Sequence, residues 1–286
     1  MKIVVTGATG QVGKHLIGFL KNSSHQIILA KRSPNRTNDC STLQEVFFDF
    51  EQPDTYAPAL EGVDKLFLLR PPALAAVKKF ITPVIDVAKE AGVSHIVFLS
   101  ILGAEKNLLV PHRAIEKHIL SSGIAYTFLR ASFFMQNLST NHRLDIKDRH
   151  EIFLPAGQKK TSFIDTRDIA AVAARALTEP GHENQAYTLT GSEALDYYEV
   201  AEIFTQVLGK TITYPNPSVF QFVYRNWSKV PLPYLLVMVG IYTTVRWGLA
   251  GQVTNETARL LTRSPITLRD FVRDYKACWL SDEVTS

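Results

Sequence analysis

The seven residues Gly7-Ala8-Thr9-Gly10-Gln11-Val12-Gly13 constrain this chain more than any other feature. They follow Lys2-Ile3-Val4-Val5-Thr6, a short β-branched run that reads as a fully buried strand. They open the segment 11–21, where Val12, Leu16, Ile17 and Leu20 return at helical spacing. Strand, glycine turn and helix together are the setting a dinucleotide fingerprint requires. A side chain at Gly7 or Gly10 would keep a pyrophosphate away from the backbone N–H groups of the helix N-terminus, where the dipole favours negative charge. Gly13 lets the helix lie close on the strand. The spacing is Gly-x-x-Gly-x-x-Gly, not Gly-x-Gly-x-x-Gly, so the cofactor reading rests on this context. It assigns Gly7, Thr9, Gly10, Gln11, Val12 and Gly13 to cofactor contact.

The 286 residues, 46% hydrophobic and 20% charged, supply enough material for a large core plus a smaller lobe. A net charge of +4 fits an anionic small ligand and does not suggest nucleic acid. Cys40 and Cys278 lie far apart, and no His-x-x-x-His pair occurs. This composition suits a reduced, cytoplasmic protein without a structural metal. A strand running straight into the glycine turn leaves no room for a signal peptide. The apolar segment 230–245 falls short of the ~20 residues of a membrane span and carries two prolines. It is expected to be a buried or pocket-lining helix, with Tyr242 and Trp247 as wall candidates and surface attachment to a membrane as the alternative.

Short apolar strands are expected at 26–30, 45–50, 65–69, 95–99 and 125–129. Helices are expected at 73–91, kinked at Pro83 and closed by Gly92, and at 111–121. This alternation means an α/β fold with a doubly wound parallel sheet, its ligands bound at the carboxyl ends of the strands beside the first. After Arg130 the pattern loosens. Asp165 or Thr166 caps an alanine-rich helix, 185–190 reads as a seventh strand, and 196–208 is a helix closed by Gly209. The organisation expected is a dinucleotide-binding domain at 1–150, completed by about 166–190. A smaller substrate lobe at 191–286, with about 151–165, is interleaved with it.

An NAD-specific fold ends its second strand in an acid that holds the ribose hydroxyls. Here that strand ends in Lys31-Arg32, and the Arg32 guanidinium suits a 2′-phosphate, which favours NADP. Asp49 and Phe50 are placed to meet the adenine edge. No tyrosine is followed four residues later by lysine, which removes the usual proton-transfer pair of short-chain dehydrogenases. The corresponding helix offers His112 and Glu116 at i, i+4, a candidate general acid with a carboxylate to orient it and raise its pKa. A solvated helix pair is the alternative.

The glycine run, the His112…Glu116 helix and Tyr126-Thr127-Phe128-Leu129-Arg130 resemble the NmrA-like branch of atypical short-chain dehydrogenases. So do Phe133-Phe134-Met135-Gln136-Asn137, Gly181-His182-Glu183-Asn184 and the closing Phe271-Val272…Trp279. The resemblance covers nearly the whole chain. It implies a Rossmann-type domain with an NADP site at the glycine loop and Arg32, and a small C-terminal lobe with the pocket between them. It places Phe133, Phe134 and Asn137 in the loop after the sixth strand, near nicotinamide and substrate. That branch holds NADPH-dependent reductases of quinones and dyes as well as NADP-sensing regulators that catalyse nothing. The expected function is therefore hydride transfer from NADPH to a small electron-poor aromatic or quinone-like acceptor. A redox-sensing regulator and an isomerase or dehydratase on the same scaffold are the alternatives, and a homodimer is left open.

Overall fold

The computed structural model describes residues 1–33, 43–72, 74, 76–108 and 110–280. In chain order its strands are β1 (Lys2–Val5), β2 (Gln26–Lys31), β3 (Leu43–Phe47), β4 (Lys65–Leu68), β5 (His95–Ile101), β6 (Ala125–Ala131), β7 (Phe133–Phe134), β8 (Thr161–Ile164), β9 (Gln185–Leu189) and β10 (Ala194–Leu195). The chain divides into two compact units, Met1–Ala131 with Thr166–Leu189, and Ser132–Asp165 with the chain from Thr190 onward.

In the first unit seven strands form one parallel sheet in the order β3-β2-β1-β4-β5-β6-β9. Ile3, Val4, Leu66, Phe67, Ile96, Val97 and Phe98 are fully buried, which is why the inner strands read as unbroken apolar runs. The strand order reverses between β1 and β4, so the switch point lies at the carboxyl ends of these two strands. Helix Thr166–Thr178, inserted late in the chain, packs against helix Gln11–Leu20.

Three expectations need correction here. The third strand runs Leu43–Phe47, and Asp49 and Phe50 lie beyond it: the Asp49 carboxylate accepts from the Glu51 amide at 3.0 Å and turns the chain. The segment 73–91 is not one kinked helix. It holds two, Val77–Phe80 and Thr82–Glu90, because Pro83 has no N–H to give and sits in the first turn of the second. The residues 132–150, expected with the first unit, belong to the second, since the chain leaves the large sheet at the end of β6.

The second unit holds a small sheet, β10-β8-β7, beneath a core that includes Phe204, Phe222, Phe271 and Trp279. Helix Tyr197–Leu208 is specified at both ends. The Asp196 carboxylate accepts from the Tyr198 and Glu199 amides, Glu199 accepts from the Asp196 amide, and Gly209 closes it with φ +73°. The apolar segment forms helix Leu232–Arg246, but only Leu235, Tyr242 and Val245 in it are buried. Leu236 and Val237 are exposed, and Trp247, named above as a pocket-wall candidate, is 72% exposed. The expected burial of this helix is therefore overturned. Its sequence is apolar on every side, and this unit's core covers one side only.

Candidate functional site

The site begins with Thr6. Its hydroxyl donates to the Phe67 carbonyl at 3.0 Å and accepts from the Leu69 amide at 2.8 Å, carrying the β1–β4 pairing one step past the ladder. Leu69 is thereby set against the glycine turn. Gly7 has φ +66°, and a Cβ there would lie 3.0 Å from the Leu69 side chain. Its carbonyl accepts from the Gly10 amide at 2.9 Å, closing the turn. At Gly13 a Cβ would fall 2.1 Å from the Gly7 carbonyl oxygen, so the helix start lies on the turn itself, not on the strand.

Gly10 stands at the N-cap of helix Gln11–Leu20 without a side-chain cap, and no acid occupies the first turn. The first-turn amides have no intrahelical acceptor, and the dipole adds to their positive field. Thr9 and Gln11 are exposed beside them, whereas Val12 is buried and packs the helix down. This cradle fits a pyrophosphate: Gly10 bears no side chain in the anion's path, and no carboxylate repels it.

At the end of β2, the Lys31 ammonium pairs with Glu45 across the β2–β3 ladder. The expected pair of available cations thus reduces to Arg32, which is exposed. Cys40 lies outside the described residues. Asp49 and Phe50 serve their own loop: Phe50 is buried edge-on to Phe48 with ring centroids 4.8 Å apart, and its carbonyl accepts from the Tyr56 hydroxyl.

The expected His112–Glu116 partnership is absent. The buried Glu116 carboxylate accepts from the Ser100 hydroxyl at 2.6 Å and from Arg130 Nε and Nη2 at 3.0 and 2.8 Å. Arg130 also faces Glu105 at 3.3 Å. A buried carboxylate needs charged, hydrogen-bonded partners, and β5 and β6 bring Ser100 and Arg130 to Glu116 in adjacent register. His112 lies beside Phe98, and its Nδ1 is buried without a hydrogen-bond partner among the described residues. Burial first, and then the nearby Arg70 charge, push its pKa down to about 3. It is a neutral imidazole at physiological pH, not an imidazolium acid.

Arg70, just past β4, directs Nη1 at the carbonyls of Pro71, Pro72 and Leu74, at 2.9, 3.1 and 3.0 Å. It therefore shapes the loop at the switch point and supplies the charge that keeps His112 neutral. Sequence reasoning missed the Ser100–Glu116–Arg130 network. Its signal was present: Arg130 is a charge within an otherwise apolar strand, and Glu116 sits beside the buried Ile115 and Ile119.

The motif Gly181-His182-Glu183-Asn184 has a structural role in the first unit. The Thr127 hydroxyl donates to the His182 carbonyl at 2.6 Å and meets His95 Nε2 at 2.9 Å, and His182 Nδ1 contacts the Tyr187 hydroxyl at 3.0 Å. These residues tie the amino-terminal halves of β5, β6 and β9 together, opposite the end at which ligands bind such sheets. Phe134 and Asn137 belong to the second unit. Phe134 lies half-buried on β7, Asn137 on helix Gln136–Ser139 gives its carbonyl to the His142 amide, and the adjacent Gln136 donates to Asp165 at 2.8 Å.

Residues 1–259 match the NmrA-like family. The chain belongs to that family. It is 36% identical over 218 residues to an NAD(P)H azoreductase from Xenophilus azovorans, covering 74% of this chain and 76% of that protein. The NADPH-dependent quinone oxidoreductase of Escherichia coli, solved with NADPH, superposes with a TM-score of 0.87 at 27% identity, over 96% of this chain and 99% of that one. The Citrobacter sp. triphenylmethane reductase, solved with NADP(H), superposes with a TM-score of 0.85 at 27% identity and the same two coverages. The sheet order and the glycine turn described above are thus those of an NmrA-like Rossmann-type domain.

Proposed function

We propose that this NmrA-like chain is an NADPH-dependent oxidoreductase whose acceptor is a small electron-poor aromatic or quinone-like molecule. When bound, NADPH supplies the hydride. The first-turn amides after Gly10 hold the pyrophosphate, and the Arg32 guanidinium takes the 2′-phosphate at the end of β2. The observation that carries the acceptor class is the state of His112. With Glu116 committed to Ser100 and Arg130, nothing recharges this imidazole against burial and Arg70. The chain also lacks a tyrosine with a lysine four residues on. Such a site orients an acceptor through neutral hydrogen bonding and leaves the accompanying proton to water. That suits a quinone, an azo dye or a cationic dye, each of which takes hydride without a strong protein acid. An unactivated ketone does not fit.

The test is NADPH oxidation against a panel of quinones, azo and triphenylmethane dyes, enones and simple ketones. Turnover with the first groups and none with simple ketones is the expected result. Arg32→Ala should weaken NADPH by the roughly 1.5–3 kcal/mol of a hydrogen bond to a charged group and leave NADH nearly unchanged. Tight NADPH binding with no oxidation above buffer for every acceptor would replace the reductase by an NADP-sensing regulator.

A further inference from the structure

Helix Leu232–Arg246 has two apolar faces and covers only one. Leu235, Tyr242 and Val245 are buried, and Met238 and Val239 pack on the same core. On the other side Leu236, Val237 and Ile241 are exposed at 59, 56 and 42%, with Leu232 and Tyr234 beside them at the start. The preceding helix Val219–Asn226 buries Phe222 against Tyr242 and turns Phe220 and Tyr224 to solvent, their rings stacked with centroids 6.4 Å apart. Trp227 and Trp247, which follow the two helices, are also exposed. An apolar surface of this extent marks an interaction site.

The charge around it identifies the partner. No Asp or Glu stands between Glu202 and Glu256, while Lys229 and Arg246 bracket helix Leu232–Arg246 and are exposed. The exposed Lys159 lies against Gly248, adding a third cation at the Trp247 end. Arg225 is not counted, because it pairs with Glu151 and stacks on Phe153 at 3.8 Å. Tryptophan and tyrosine at the margins, aliphatic side chains between them, and unneutralised cations at both ends are what an anionic bilayer surface selects. A second copy of the chain fits poorly. A two-fold contact would set these cations against one another with no carboxylate in the strip to pair them. No helix among the described residues is long and apolar enough to cross a membrane, so the contact is with its surface.

We infer that the Leu232–Arg246 and Val219–Asn226 faces dock the protein reversibly on an anionic lipid surface. The full chain is sedimented with vesicles of equal parts phosphatidylglycerol and phosphatidylcholine, and with phosphatidylcholine alone, at low and high salt. Expected is binding to the anionic vesicles, release by salt, and a blue shift of tryptophan emission from Trp227 and Trp247, since Trp279 is already buried. Lys229→Gln and Arg246→Gln should each weaken binding about fivefold. The pair Leu236→Ser and Val237→Ser, exposed positions that leave the core untouched, should abolish the blue shift and leave thermal unfolding unchanged. Equal binding to both vesicle types, or none to either, overturns the proposal. So does a dimer in light scattering that the Leu236→Ser, Val237→Ser variant dissolves without vesicles having bound, which would assign the face to a second copy.

Discussion

Glu116 illustrates how one side chain changes meaning between sequence and structure. Four residues from His112, it reads as the carboxylate that would charge a histidine. In the fold it is the acceptor of Ser100 and Arg130. Helical spacing gives two residues one face but does not say which neighbour outbids the other, and a guanidinium held in β6 outbids an imidazole beside Arg70. Glu116→Ala removes the bidentate, buried partner and leaves Arg130 with Glu105 alone, so it should destabilise by about 3 kcal/mol. Glu116→Leu combined with Arg130→Met should cost less than Glu116→Ala alone, because the guanidinium leaves with its buried carboxylate and the Glu105 left behind is the more exposed partner. His112→Gln, in contrast, should leave thermal unfolding nearly unchanged and lower turnover modestly. Urea titrations of the four proteins check the order, and a double variant less stable than Glu116→Ala would mean that the network stabilises by more than charge pairing.

The inner strands were legible because their burial is nearly complete, leaving runs such as Ile3-Val4-Val5 with no other reading, and the first helix because Val12, Leu16 and Leu20 are buried at helical spacing. The elements that misled were those whose fate depends on a distant partner. Phe47 to Phe50 looks like a continuing strand until Asp49 turns the chain, and helix Leu232–Arg246 looks buried because apolarity says what a segment avoids, not what covers it. Of the site, the glycine turn was legible and the Ser100–Glu116–Arg130 network was not, since it joins residues on three separate elements. Helix Gln11–Leu20 gives a direct test of the legible part. Its two glycines have opposite surroundings: a Cβ at Gly13 would meet the Gly7 carbonyl oxygen at 2.1 Å, while one at Gly18 meets nothing within 4 Å. Gly18→Ala should therefore stabilise by about 0.5–1 kcal/mol through helix propensity. Gly13→Ala must displace the turn, and should lower both the melting temperature and NADPH affinity. Thermal melts and fluorescence titration of the two variants should move in opposite directions for stability.

Both units carry histidines kept neutral by burial, His112 and His95 in the first and His142 in the second, so acid should act on the whole chain before its carboxylates respond. In the first unit, burial and then the Lys65 charge push the His95 pKa down to about 4. In the second, burial alone brings His142 to about 4, with its Nε2 hydrogen-bonded to the Tyr242 hydroxyl at 2.5 Å. An unfolded histidine titrates near 6.5, so below that pH the unfolded chain binds protons that the native one refuses. The sign follows: stability is full above about pH 6.5 and declines as pH falls towards 4. His112, His95 and His142 should each contribute a loss on the order of 3 kcal/mol by the bottom of that window. Glu199, held below the usual carboxylate range by the Asp196 amide and then Lys160, and Asp270, held there first by the Thr267 hydroxyl, lose their contributions only at lower pH. The interval between about pH 6.5 and 5 therefore reports the histidines. Urea midpoints across that interval should fall steadily in the native protein. They should fall less steeply in His142→Asn, whose side chain binds no proton there. A native midpoint that is flat down to pH 5 would mean that none of these imidazoles is held neutral by its burial.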